Sequence, residues 1–140
     1  MTAELEPVAG LWATVELERA LREHGTAPDL ADDAVVDPHL GANVVVIPAE
    51  GGGLLALAEP ISEGRLAASL ARHGEGPAGR YVAVGDGDSL DAWRRRGHEA
   101  GVAITRIDSG PFGPSALLLT QPVTGPHLIV VERRSIPSRP

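Results

Sequence analysis

The order of apolar segments constrains this chain more than any single motif does. Val8–Thr14 reads as a strand, and Leu17, Ala20 and Leu21 give the helix after it one apolar face, with Thr14 placed to cap it and Gly25 to stop it. Ala34–Val36 is a weak strand, Asn43–Ile47 a strong one. Gly51-Gly52-Gly53 supplies the positive φ angles of a tight turn, so Leu54–Ala58 returns as the second arm of a hairpin. After a helix capped by Ser62 and ended by Gly74, the order recurs. Gly74-Glu75-Gly76-Pro77 links to a strand at Arg80–Val84, then a helix with Leu90, Trp93 and Ala100 on its buried face, then strands at Val102–Ile107, Ala116–Thr120 and Leu128–Val131. Each half reads strand, helix, strand, strand, strand. No helix separates every pair of strands, so a doubly wound parallel sheet is excluded. The expected class is α+β, built from two βαβββ modules at about 8–60 and 78–132, joined by a helix at 62–74. Residues 1–132 make one domain, and 133–140 form a flexible, proline-containing tail.

Length agrees, since 140 residues bury one core rather than two. Aromatics are scarce: Trp12, Trp93, Tyr81 and Phe112 are the full set, so Leu, Val, Ile and Ala must build that core. A net charge of −7 argues against nucleic acid and anionic membrane as partners. The absence of cysteine removes disulfide and thiolate chemistry. No apolar run reaches membrane-spanning length, and Met1-Thr2-Ala3-Glu4 lacks the basic and apolar regions of a signal peptide, so a cytoplasmic location is expected.

Several motifs invite a functional reading and have a simpler one. The spacing of His24, His39, His73, His98 and His127 matches no zinc template, and three of them lie at helix ends, where cations are favoured. Asp86 and Asp88 lack the downstream acidic ligand of a calcium loop, leaving a turn and a helix cap. A hairpin follows the triple glycine, so it is no phosphate cradle. Arg94, Arg95 and Arg96 read as a solvated helix face, with phosphate contact the alternative.

The stretch from Gly41 to Gly76 carries a more specific signal. A hairpin leads to a leucine-rich strand ending in Glu59-Pro60-Ile61-Ser62, and the next helix closes on His73-Gly74-Glu75-Gly76. This pattern, continued by Ala100–Glu132, resembles the methylmalonyl-CoA epimerase branch of the vicinal-oxygen-chelate (glyoxalase/bleomycin-resistance) superfamily. The resemblance implies a cupped, partly open, barrel-like sheet of paired βαβββ modules, usually dimeric, with a divalent ion held by one side chain from each of four strands. In this sequence those four positions fall on Ala9, Ala56, Gly79 and Val130, and none can ligate a metal. The resemblance therefore implies no metal and no cofactor, and no metal-dependent epimerase activity.

Alternation along the strands adds Leu11, Leu54, Ala58 and Leu128 to the same surface, with Trp12 beside them, and so describes an apolar cup for a hydrophobic small molecule. The simpler reading is close-packed core. Tyr81 and Glu132 are the polar groups there and the candidates for proton transfer. Three functions remain open: a metal-independent isomerase or cyclase acting on an acyl or polyketide-like substrate, a protein that sequesters a hydrophobic natural product, and a degenerate partner subunit. A homodimer is expected.

Overall fold

The computed structural model describes residues 5–85 and 87–132, so the expected tail and Asp86 lie outside the described residues. One eight-stranded sheet runs through the chain. Its first module contains β1 (Glu6–Ala13), α1 (Leu17–Glu23), a 3₁₀ turn (Pro28–Asp33), β2 (Val35–Asp37), β3 (Ala42–Pro48) and β4 (Leu54–Pro60). Helix α2 (Arg65–His73) follows. The second module contains β5 (Gly76–Ala83), α3 (Leu90–Glu99), β6 (Asp108–Gly110), β7 (Gly113–Leu117) and β8 (His127–Val131).

The strand order is β2-β3-β4-β1-β5-β8-β7-β6. Within each module the first strand pairs in parallel with the last, β1 with β4 and β5 with β8, while β1 and β5 join the modules antiparallel at the centre. The edge strands β2 and β6 curl toward each other, so the sheet is nearly closed into a barrel. The expected α+β class and cupped sheet are therefore observed.

Alternation divides the core in three. On the convex side α1 packs on Val45, Ile47 and Leu57, and α3 packs on Val82, Ala116 and Val130. The concave face carries Ala9, Leu11, Ala13, Ala56, Ala58, Tyr81 and Ile129, joined by Leu66 of α2, Leu40 of the β2–β3 turn and Phe112 of the β6–β7 turn.

Local details differ from the sequence reading. Thr14 does not cap α1; Glu59, from β4, accepts the Leu17 N–H at 2.7 Å, and Glu75 accepts from Thr14 Oγ1 and Val15 N–H, both at 2.8 Å. Two glutamates distant in sequence thus hold the start of α1. Ser62 does not cap α2, which begins at Arg65, where the Leu40 carbonyl accepts the Leu66 N–H. β5 starts inside the expected linker, at Gly76. Residues 102–107 form no strand: they make one isolated bridge, Ile104 to Leu118, and the paired edge strand is β6. Ala100 is exposed, and Gly97 takes its place on the buried face of α3.

Candidate functional site

Every strand position expected to line the cup can now be assigned a face. Ala9, Leu11, Leu54, Ala56 and Ala58 belong to the concave cluster, as does Tyr81. Trp12 does not: it packs on the α1 side, its ring 5.3 Å from that of His24 in an edge-on contact. Leu128 and Val130 also turn away, toward α3. On β8 the cup-facing residues are Ile129 and Val131, one residue out of register with the expected face, and a one-residue shift exchanges the faces of a strand.

Gly79 has a different role from the one expected. Its φ is +149°, and a Cβ there would collide with the carbonyl oxygen of His127, its register partner on β8. Position 79 thus admits no side chain, and its glycine allows the parallel strands β5 and β8 to pair closely. Glu132 lies outside the cup. Its Oε1 accepts the Leu90 N–H at 3.1 Å, where the positive end of the α3 dipole favours a carboxylate. It is a helix cap rather than a base in the pocket.

Ala9, Ala56, Tyr81 and Ile129 all belong to the concave face, and of these four one, Tyr81, carries a side-chain oxygen. Among the described residues no three His, Asp or Glu side chains converge. That donor set does not fit a divalent ion.

Tyr81 has a partner that sequence reasoning missed. Its hydroxyl donates to Asp37 Oδ2 at 2.6 Å, and both residues are buried. Asp37 ends the edge strand β2; its Oδ1 accepts the His39 N–H at 3.0 Å, and its carboxyl lies against Gly110 of the opposite edge strand β6. The bond therefore crosses the cup from a central strand to the seam where the barrel nearly closes. Phe112 packs on Tyr81 with ring centroids 5.0 Å apart. Burial, then the Asp37 charge, then the hydrogen bond to Asp37 push the phenol well above the ordinary tyrosine range, so it keeps its proton. In sequence, Asp37-Pro38-His39 resembles a turn, and the one usable signal was a carboxylate ending a short apolar strand.

A second polar group lies where α2 meets β8. Ser69 and His127 are both buried, with Ser69 Oγ 3.1 Å from His127 Nε2 and 2.7 Å from the Thr124 carbonyl oxygen. His39 lies at the rim and bridges Ser115 O and Thr105 Oγ1. The helix-end histidines His24, His73 and His98 join neither group. Arg94 donates to Thr105 O, and Arg95 and Arg96 pair with Asp91 and Asp88.

No protein-family model and no curated protein matches the sequence. Solved structures do. A methylmalonyl-CoA epimerase from Mycobacterium tuberculosis superposes with a TM-score of 0.72 at 18% identity, covering 94% of this chain and 91% of that one. This chain has the vicinal-oxygen-chelate fold. A Streptomyces coelicolor methylmalonyl-CoA epimerase variant in complex with 2-nitronate-propionyl-CoA gives 0.70 at 19% identity, over 96% and 99% of the two chains. A methylmalonyl-CoA epimerase in complex with methylmalonyl-CoA and NH4+ gives 0.68 at 18%, over 98% and 100%.

Proposed function

We propose that this chain is a metal-independent small-molecule enzyme of the isomerase or cyclase type, acting on a hydrophobic acyl or polyketide-like substrate within the cup. The observation that carries this reading is the Tyr81–Asp37 pair, a proton donor bonded to a carboxylate inside an otherwise apolar cluster. A phenol held protonated can donate to a substrate oxygen as charge develops there, and the carboxylate freed by that exchange can accept a proton. The acyl class is supported by the CoA thioesters bound to the solved epimerases. Leu40 and Phe112 reach into the cup from the turns beside the two edge strands. We propose a homodimer as the working assembly; a clean monomer mass by light scattering at high concentration would exclude it.

The test is deuterium incorporation from heavy water into a panel of acyl-CoA thioesters and polyketide-like esters, followed by mass spectrometry in the presence of EDTA. Exchange catalysed by wild type and reduced about 100-fold or more in Tyr81→Phe supports catalysis. The competing reading is sequestration, favoured by the fact that Tyr81 and Asp37 already satisfy each other. Binding of panel members with no exchange, unchanged in Tyr81→Phe, would establish that reading instead. Binding of none by either protein leaves a partner subunit.

A further inference from the structure

The floor of the cup is closed to solvent: Ala9, Ala56, Tyr81 and Ile129 are each at most 6% exposed. A ligand reaches Tyr81 only if part of the surrounding wall moves. Each pair of neighbouring strands in the sheet is joined by a backbone ladder. Among the described residues no ladder joins β2 to β6, although the two edge strands lie in contact. That seam is closed by side chains, and a joint without backbone pairing opens at lower free energy than the laddered ones.

The β6–β7 hairpin is the side of the seam with less to hold it. Its ladder pairs Asp108 with Ser115, Ser109 with Pro114 and Gly110 with Gly113, and Pro114 has no N–H to contribute. β7 pairs with β8 only from Ser115 onward, so residues 108–114 project beyond the sheet as a two-stranded tip, which is marginal by itself. β2 runs instead into a turn tied to its own module and to α2, where the Gly41 carbonyl accepts the Ile61 N–H and the Leu40 carbonyl the Leu66 N–H. Three contacts pin the tip. Phe112, 3% exposed, sets its ring against Tyr81. Gly110 lies against the Asp37 carboxyl. The His39 ring holds the base: Nε2 donates to the Ser115 carbonyl at 3.0 Å, and Nδ1 lies 3.4 Å from Thr105 Oγ1, which accepts the Leu117 N–H at 2.8 Å.

We propose that the β6–β7 hairpin is the gate of the cup, with Phe112 as its plug and His39 as its latch. The tip swings away from β2, lifts Phe112 off Tyr81 and uncovers the Tyr81–Asp37 pair, and an apolar ligand takes the place the ring leaves. Only hydrogen bonds and packing contacts are broken. Asp37 stays bonded to Tyr81 as the tip moves, because β2 belongs to the anchored side of the seam. This inference rests on the reading that the cup takes a small molecule, and it states how that site is kept closed without one.

The chain has no cysteine, so a single introduced thiol reports on one position. Ala9→Cys puts it beside Tyr81, the register partner of Ala9, and Ala20→Cys puts it under α1 in the convex core. In the whole chain under native conditions, dithiobis(nitrobenzoate) should label position 9 at least about tenfold faster than position 20, with little response to low urea, because opening the tip exposes little surface. His39→Ala should speed labelling at position 9 about fivefold, the effect of one lost hydrogen bond, and Phe112→Ala should speed it further. Ser89→Ala, which removes the cap of α3, should speed labelling at position 20 and leave position 9 unchanged. The neutral dye phenylnaphthylamine should bind Phe112→Ala at least about tenfold more tightly than wild type, since the plug no longer competes.

Equal labelling rates at positions 9 and 20, with the same urea dependence, would overturn the gate, because position 9 would then open only by global unfolding. Fast labelling at position 9 that neither His39→Ala nor Phe112→Ala changes would place the entrance elsewhere and also overturn it, as would an equal acceleration there by Ser89→Ala. Equal dye binding by wild type and Phe112→Ala would remove Phe112 as the plug. The expected labelling pattern with no dye bound by either protein would uphold the gate and count against the reading that the cup takes a small molecule. Should Ala9→Cys not fold, Ala56→Cys reports in its place; should Phe112→Ala not fold, the comparison of His39→Ala with Ser89→Ala decides alone.

Discussion

Tyr81→Phe keeps the aromatic ring against Phe112 and removes one oxygen, so it isolates the bond that crosses the cup. A hydrogen bond to a charged group contributes about 1.5–3 kcal/mol, and the 2.6 Å contact to a fully buried carboxylate belongs in that range. Asp37 keeps the His39 N–H at 3.0 Å, which limits the loss to about 2 kcal/mol. For a chain of this size that lowers Tm by roughly 5–10 °C. Urea unfolding at neutral pH should show the midpoint falling with the slope unchanged. Asp37→Asn leaves an oxygen acceptor for the phenol and should cost less. The double variant should cost less than the sum of the two, by about 1 kcal/mol, because both substitutions weaken the same bond. The pH dependence has a definite sign. Tyr81 is raised above its unfolded value of 10.0, so its contribution is complete below about pH 10 and declines as pH rises through the higher folded value. Wild type should lose stability in that range, and Tyr81→Phe should lack this part of the decline. A Tyr81→Phe protein within about 0.5 kcal/mol of wild type, with additive double-variant energies, would refute the cross-cup bond.

Other outcomes follow from the same geometry. Glu132→Gln should weaken the start of α3 by about 0.5–2 kcal/mol in thermal melts and leave any turnover intact; loss of turnover at unchanged Tm would return Glu132 to the reaction. Gly79→Ala should destabilise by about 3 kcal/mol or more, read as lost soluble yield or a large Tm drop, because its Cβ would collide with the β8 backbone; near-neutral behaviour would deny the close pairing. The Arg19 guanidinium, aided by Val15 N–H and Thr14, holds Glu75 down at about 2. Its contribution should therefore be full above about pH 4.5 and lost as pH falls through about 2. Glu75→Gln melts should differ from wild type at neutral pH and converge with it in acid.

The apolar segment order by itself determined the class of fold. Two passes of strand, helix and three strands, with turn glycines at Gly51–Gly53 and Gly74, leave few ways to bury every apolar face. It also placed Ala9, Leu11, Ala56, Ala58 and Tyr81 on a common surface, since alternation is a local property of β1, β4 and β5. The face of β8 was not legible. Its residues His127–Val131 are apolar on both sides apart from the histidine, because one side meets α3 and the other the cup, and such a strand has no alternation to read. Residues 102–107 look strand-like for a related reason: Val102, Ile104 and Ile107 pack against α3 and Val130, while the segment's backbone pairs with the chain after β7 through an isolated bridge at Ile104 rather than a full strand. The polar partners needed tertiary structure altogether. Asp37 meets Tyr81 across 44 residues and Ser69 meets His127 across 58, and those distances close only when the edge strands curl together and α2 settles beside β8. Glu132 shows the converse, a strand-end carboxylate whose role was decided by a helix N-terminus 42 residues earlier. Local periodicity specifies which way a side chain points; which group it meets is set by how the sheet closes.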